Sequence, residues 1–243
     1  MDFISLSKTN RLFWLGRYYE RVSLSIRHMM GAYDAMIDTN TFDYAEYCRQ
    51  IGICNKYESV EDFFQHYIFD AHDPDSIRSA AEQMLGNGMV LRETIGSSTL
   101  AYLQMAVYTL DEGAEDEVIG LKLLQVLDNL MAFRGCYDDF IAEDAVRNTI
   151  KCGASVERLS YTLRTGLREE FLLEELQKLQ KRLTWSNLQT AALPMQSIIR
   201  MERILDGRNP EDEISREDFL NAVEGLFLVE GAIDAIAGEP EAM

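Results

Sequence analysis

Apolar residues recur along the chain in steps of three and four, which is the spacing of one face of an α-helix. The clearest stripe lies near the N-terminus and consists of Leu12, Leu15, Tyr19, Val22, Ile26, Met29, Met30 and Tyr33. This stripe predicts one long helix over about residues 7–37. No segment shows the sustained alternation of apolar and polar residues that is typical of a β-strand. The pattern therefore predicts an all-α protein.

The same spacing predicts further helices along the rest of the chain. The predicted segments are 42–51, 59–70, 73–110, 118–133, 139–165, 168–183, 186–205 and 215–237. Three of them begin with a residue that suits a helix N-cap, because a short polar side chain there accepts a hydrogen bond from a free backbone N–H group. These residues are Ser59, Asp73 and Ser215, and Asp73 directly precedes a proline at the first helical position.

Several short segments predict breaks between or within the helices. We expect Gly86-Asn87-Gly88 to weaken or kink the predicted helix 73–110, and Pro194 to kink the predicted helix 186–205. The acidic run 111–117 predicts a solvated link, and Gly238 is expected to end the last helix. The chain is therefore expected to form a single helical-bundle domain over residues 3–237. We expect a flexible tail at 238–243 to follow this domain.

Composition and charge narrow the class of protein. The chain has 243 residues, of which 47% are apolar, and carries 23 Lys and Arg against 41 Asp and Glu, a net charge of −18. The apolar content is too high for a disordered chain. The negative charge disfavours nucleic acid and anionic membrane surfaces as partners. We see no signal peptide and no apolar run long enough to span a bilayer, so we expect a soluble cytoplasmic protein.

The residues that most often carry chemistry form few recognisable patterns. The four cysteines, Cys48, Cys54, Cys136 and Cys152, show no zinc spacing and are expected to be reduced thiols. No phosphate-binding loop and no Glu-x-x-His pair occurs, so neither a metal nor a cofactor is predicted for this chain. The aspartates of segment 138–144 fit the Mg²⁺-binding spacing of prenyl-chain synthases. The alternative is that these carboxylates cap a helix N-terminus.

An internal repeat is the most informative feature of the sequence. Residues 12–27 and 149–164 align without gaps at an offset of 137, with five of sixteen positions identical. The identical pairs are Gly16 and Gly153, Glu20 and Glu157, Arg21 and Arg158, Ser23 and Ser160, and Arg27 and Arg164. Four of the five pairs advance by four, three and four residues, so they share a helix face distinct from the apolar stripe. We call these ten residues the Glu-Arg seam.

Three interpretations of the Glu-Arg seam remain open. A glycine inside a helix costs about 0.5–1 kcal/mol relative to alanine, which favours close approach by another helix or a ligand at Gly16 and Gly153. The two helices would then pack together, with Glu and Arg pairing across the contact. Alternatively, Arg27 and Arg164 hold a carboxylate or phosphate in a shared pocket. The third interpretation is a solvated face that matches by chance. The repeat also predicts two related halves, about 3–110 and 118–237.

Residues 12–21, Leu-Phe-Trp-Leu-Gly-Arg-Tyr-Tyr-Glu-Arg, resemble the N-terminal signature of the alpha-E domain family, which is named for its Glu-Arg motif. The second Glu-Arg pair, Glu157-Arg158, lies where that family repeats the motif. A looser similarity to the family's central helix involves Pro74, Ser76, Ile77, Asn87, Arg92 and Ile95. The chain departs from the family pattern at 86–89, where Gly-Asn-Gly-Met replaces Glu-Asn-Ala-Arg. It also departs at Ala145 and at Ala154, which replaces an arginine.

The resemblance implies a functional context more than a reaction. Proteins of this family are encoded beside, or fused to, ATP-grasp-type carboxylate–amine ligases, often with transglutaminase-like peptidases. It therefore implies a bacterial accessory or co-catalytic subunit for peptide or small-molecule amide-bond formation, with ATP and Mg on the partner ligase. The implied ligand or interface residues are those of the Glu-Arg seam, with Asn87 and Arg92 contributed by the central helix.

Two other functions are kept as alternatives. One is a stand-alone helical transferase or ligase with a pocket between the two Glu-Arg helices. The other is a purely structural interaction domain. Phe13, Trp14 and Tyr18 lie partly off the apolar stripe, which leaves a homodimer surface as a further alternative.

Overall fold

The computed structural model describes residues 6–112, 119–186, 188–209 and 211–227. Within these residues the backbone forms eleven α-helices and no strand; an isolated bridge joins Thr190 to Phe227. The prediction of an all-α fold is confirmed.

The helices follow one another with short connections. They are α1 (Leu6–Thr39), α2 (Tyr44–Ile51), α3 (Val60–Phe69), α4 (Ile77–Val90), α5 (Arg92–Ile95), α6 (Ser97–Asp111), α7 (Ile119–Phe140), α8 (Asp144–Thr165), α9 (Leu172–Leu183), α10 (Ala192–Leu205) and α11 (Arg216–Glu224). A 3₁₀ turn, Glu169–Phe171, precedes α9.

The pair α1 and α8 forms the centre of the molecule. These two helices make the most extensive helix–helix contact, with α4 against α1 and α9 against α8. Buried apolar residues form two clusters, one drawn mainly from α1–α7 and the other mainly from α8–α11. Leu12 and Leu15 belong to the first cluster, whereas Phe13 belongs to the second, because successive residues on a helix point about 100° apart. The helix α7, which the repeat-based prediction gives to the second half, packs in the first cluster.

Helix starts agree with the sequence at two of the three predicted caps. Ser59 and Ser215 accept hydrogen bonds from the backbone N–H groups of Asp62 and Asp218, as N-caps of α3 and α11. The prediction for Asp73 is wrong. The N-cap of α4 is Ser76, three residues later, and its side chain accepts from the N–H of Ser79.

Two predicted helix breaks also differ from the structure. Helix α4 continues through Gly86-Asn87-Gly88, and the chain turns only after Val90. A Cβ atom at Gly88 would lie 2.7 Å from Leu103 Cδ1, so this glycine permits close packing of α4 against α6. Pro194 lies in the first turn of α10, because this helix begins only at Ala192. The missing N–H group of a proline costs no helical hydrogen bond there, so Pro194 gives no reason for a kink.

The aspartates of segment 138–144 do not share a helix N-terminus. Asp138 and Asp139 lie in the last turn of α7, which is longer than the sequence predicted, so the capping interpretation is wrong for them. Asp138 forms a 2.6 Å ion pair with Lys151 instead. Among the described residues, no group of three His, Cys, Asp or Glu side chains is placed to hold a metal ion.

The remaining predictions concern the chain ends, the acidic link, membrane spans and the cysteines. Gly238, the tail 238–243 and most of the acidic link lie outside the described residues. Among the described helices, none combines the length and the apolar character that crossing a membrane requires. The four cysteines are free, and Cys48 and Cys152 are buried.

Candidate functional site

The helices α1 and α8 cross at the two glycines of the repeat. Gly16 and Gly153 are both buried. A methyl group on Gly16 would overlap the backbone carbonyl oxygen of Ile150, and one on Gly153 would overlap the carbonyl oxygen of Phe13. The contact is therefore reciprocal, and only glycine allows the two backbones to approach this closely.

Glu157 is the most enclosed charge of the Glu-Arg seam. Its side chain is 0% exposed and is bound by two arginines of α1. Arg17 Nε donates to Oε2 at 2.8 Å, and Arg21 Nε donates to Oε1 at 2.7 Å. Arg164 Nη2 lies 3.5 Å from Oε1. Burial by itself would raise the pKa of Glu157, but the positive charges of Arg17 and Arg21 outweigh it and hold that pKa at about 2.

The other Glu-Arg pair repeats this arrangement with the helices exchanged. Glu20 of α1 forms a 2.5 Å ion pair with Arg158 of α8. Arg158 also pairs with Glu175 of α9 at 2.9 Å. Burial opposes the charge on Arg158, but the two carboxylates raise its pKa above the ordinary value. Each glutamate of the motif thus binds the arginine of the opposite helix, and the glutamate and arginine next to each other in sequence do not pair.

Three charged residues that the sequence did not predict also take part in these contacts, namely Arg17, Glu175 and Glu224. Arg17 bridges Glu157 and Glu224 of α11, the latter at 2.6 Å. Glu175 accepts a hydrogen bond from Ser155 Oγ at 2.7 Å. Arg17 could have been found from the sequence, because it directly follows Gly16 in the motif. Glu175 and Glu224 lie on helices with no repeat, and nothing in the sequence marks them.

A cleft of about 600 Å³ opens beside the Glu20–Arg158 pair, between α1, α7, α8 and α9. We call it the Glu20 cleft. Its charged lining residues are Glu20, Arg27, Arg134, Asp138, Arg158, Arg168, Glu174, Glu175, Lys178 and Arg182. Ser23 also lines it, together with several apolar side chains. The cleft therefore presents polar side chains of the Glu-Arg seam next to other charged and apolar side chains.

A smaller cleft of about 370 Å³ lies on another side of α1, beside Glu157. Arg21 and Arg164 line it. Arg164 is the repeat equivalent of Arg27, yet it contacts Glu157, whereas Arg27 has no ion-pair partner among the described residues. Ser160, the equivalent of Ser23, is fully buried in the seam. The two clefts thus use matching positions of the repeat but differ in size and charge pairing.

The two residues predicted from the central helix lie elsewhere. Asn87 is buried on α4, where its side chain donates to the carbonyl of Gln83 at 2.9 Å and accepts from Arg11 at 3.3 Å. Arg92 is exposed on α5 and donates to Ser97 Oγ at 3.1 Å. Neither is among the described residues that line the two clefts.

A protein-family model matches most of the chain. The family model Alpha-E, described as a predicted alpha-helical domain with a conserved ER motif, matches residues 6–198. Both Glu-Arg pairs of the seam fall within that range, which covers well over half of the chain. Comparison with curated proteins and with solved structures returned no match. On the extent of the family match, this chain belongs to the Alpha-E family.

Proposed function

We propose that this chain is an accessory subunit of an ATP-grasp-type carboxylate–amine ligase system that forms amide bonds in peptides or small molecules. In this proposal the partner ligase binds ATP and Mg, and the helical subunit positions a substrate for it. The family resemblance supplies the ligase context. The structure contributes a cleft that is suited to hold an acidic substrate.

The observation that carries the proposal is the presence of unpaired arginines in the Glu20 cleft. Three of its arginines, Arg27, Arg134 and Arg168, have no ion-pair partner among the described residues. A guanidinium group matches a carboxylate in a bidentate geometry. A carboxylate is one of the two substrates that a carboxylate–amine ligase joins. The cleft therefore offers free donors for the group on which such a ligase acts.

The seam itself supports a structural role for the Glu-Arg motif. Glu157 is enclosed and bound by Arg17 and Arg21, and Glu20 by Arg158. Such pairs hold α1 against α8, because separating them would leave a buried charge without a partner. This observation favours a second candidate function, an interaction domain without a ligand. The second candidate assigns no ligand to the Glu20 cleft.

The proposal is tested by recovering the tagged chain from a lysate of its native cells and identifying the bound proteins by mass spectrometry. We expect an ATP-grasp ligase in near-stoichiometric yield, with a transglutaminase-like peptidase as a further partner. A tagged unrelated protein of similar net charge controls for non-specific capture. The recovered ligase is then assayed for ATP-dependent amide formation with and without this chain. Recovery of the chain alone, or a ligase whose turnover ignores it, contradicts the proposal.

A further inference from the structure

The Glu20 cleft carries an excess of positive charge in a strongly negative protein. Six cationic side chains and four carboxylates line it, although the whole chain has a net charge of −18. We infer that the Glu20 cleft binds a small organic ligand with at least two anionic groups, carboxylates or phosphates. This inference rests on the proposed function only for the ligand's role as a substrate.

Every carboxylate of the cleft already has a cation beside it. Glu20 and Glu175 both pair with Arg158, at 2.5 and 2.9 Å. Asp138 pairs with Lys151 at 2.6 Å, and Glu174 with Lys178 at 2.7 Å. Arg182 also lies 3.5 Å from Glu175. None of the four carboxylates forms an ion pair with Arg27, Arg134 or Arg168, so the charges of these three arginines stay available to a ligand.

The arginines without ion-pair partners come from separate elements of the fold. Arg27 lies on α1, Arg134 on α7 and Arg168 just before the 3₁₀ turn that leads into α9. All three are exposed, and the Arg168 guanidinium lies 4.8 Å from the ring centre of Phe171. Because the three charges belong to different walls of one cleft, a ligand with several anionic groups satisfies more of them than a single anion does.

The remaining lining points to an organic ligand. Met131 and Phe171 are 60% and 44% exposed beside the cleft, and Leu24 and Leu172 line it. Exposed apolar side chains next to free guanidinium groups suit a molecule with an apolar segment between charged groups. The volume of about 600 Å³ lies within the roughly 300–1,000 Å³ of typical small-molecule sites.

The cleft beside Glu157 is a natural comparison, because the repeat places matching residues there. Its two arginines, Arg21 and Arg164, both contact Glu157. Both positive charges are therefore already paired with a carboxylate of the protein. The inference is specific to the Glu20 cleft and assigns no ligand to the smaller one.

The test is isothermal titration calorimetry of the purified full chain with two probes, tricarballylate for carboxylates and pyrophosphate for phosphates. Acetate serves as the single-charge control. The variants are Arg27→Ala, Arg134→Ala and Arg168→Ala. Arg203→Ala, an exposed arginine on α10 outside the cleft, removes the same charge and is the matched control. Because these side chains are exposed, all four variants are expected to fold, which circular dichroism checks.

We expect at least one probe to bind, and its Kd to rise about tenfold in each cleft variant, the loss of one charge-assisted hydrogen bond. Arg203→Ala should change the Kd by less than about twofold, because a distant exposed charge is screened by salt. The stronger probe identifies the ligand as a carboxylate or a phosphate. The inference is overturned if neither probe binds, if acetate binds equally well, or if Arg203→Ala weakens binding as much as the cleft variants.

This test and the test of the proposed function fail in different ways. Polyanion binding that depends on the cleft arginines, without recovery of a ligase, would leave the inference standing and contradict the subunit role. Recovery of a ligase without polyanion binding would support the subunit role and overturn the inference.

Discussion

At the scale of single residues, the glycines of α1 show how neighbours decide what a residue contributes. Gly16 faces the backbone of α8, and a side chain there would overlap the Ile150 carbonyl oxygen. Gly31 lies on the same helix and faces open space. Both cost the helix conformational entropy. Only Gly16 offsets that cost, by allowing α1 and α8 to pack at close range.

Gly16→Ala should therefore destabilise the protein by about 3 kcal/mol, the upper part of the range for overpacking, because the clash involves backbone that cannot turn away. Gly31→Ala should stabilise it by up to about 1 kcal/mol, since alanine favours the helix and meets no neighbour. Urea denaturation followed by circular dichroism measures both. Equal effects of the two substitutions would show that helix packing at Gly16 is looser than the structure describes.

The charged residues show where residue-level prediction ends. Helical spacing places Glu20 and Glu157 on matching faces, and the structure pairs each with an arginine of the opposite helix. The same spacing treats Arg27 and Arg164 as equivalent. In the folded chain Arg164 contacts Glu157 and Arg27 faces a cleft. Glu157 lies seven residues before Arg164 on α8, and Glu20 lies seven residues before Arg27 on α1, so the spacing is the same in both helices. The difference therefore comes from the tertiary surroundings of the two helices, which a single helix pattern does not contain.

At the scale of helices, the start of α4 shows the limit of local signals. Asp73 followed by proline is a good N-terminal sequence, yet Ser76 caps the helix. The carboxylate of Asp73 instead accepts hydrogen bonds from Lys56 Nζ at 2.5 Å and Tyr57 Oη at 3.2 Å. These partners come from the segment between α2 and α3. A capping prediction that considers only neighbouring residues cannot include this competition.

Ser76→Ala should lower the stability of the protein by about 1–2 kcal/mol. Its buried hydroxyl both caps the N–H of Ser79 and donates to the Asp70 carbonyl at 2.6 Å, and alanine would leave both groups without a partner. Ser79→Ala, three residues into the same helix, is the control and should be close to neutral. Thermal melts of the two variants distinguish them. A neutral Ser76→Ala would mean that Asp73 or water takes over the cap.

At the scale of the whole molecule, the seam connects the two apolar clusters. Arg17 joins α1 to Glu157 of α8 and to Glu224 of α11, and both carboxylates have a lowered pKa. Burial opposes ionisation of each, and the arginine charge outweighs it. A carboxylate whose pKa falls on folding stabilises the folded state above its ordinary pKa and stops doing so as the pH approaches the folded value.

The free energy of unfolding should therefore fall as the pH drops from about 4.5, the ordinary pKa of Glu157, towards about 2. Glu157→Gln should flatten that part of the pH profile. It should also lower stability at pH 7 by about 3–5 kcal/mol, because Arg21 and Arg164 lose their charged partner and the buried Arg17 keeps only Glu224. Urea denaturation between pH 2 and pH 7 gives both quantities.

Two further variants distinguish the effect of Glu157 on acid stability from the effect of removing any carboxylate. Glu224→Gln removes a partly exposed carboxylate bound by Arg17 and should flatten the same part of the profile less. Glu174→Gln removes an exposed carboxylate on α9 and should keep the wild-type profile at low pH. A Glu157→Gln profile as steep as that of the wild type would contradict the assignment of acid sensitivity to the seam.

The sequence by itself determined the all-α class and the family, because apolar spacing and the Glu-Arg motif are local patterns of one helix. It also determined the long first helix and the caps at Ser59 and Ser215, which depend on residues a few positions apart. Only the tertiary structure decided which arginine binds which glutamate and which arginines keep a free charge in the Glu20 cleft. Those outcomes depend on α7, α9 and α11, which reach the seam through packing of apolar faces and share no motif with it.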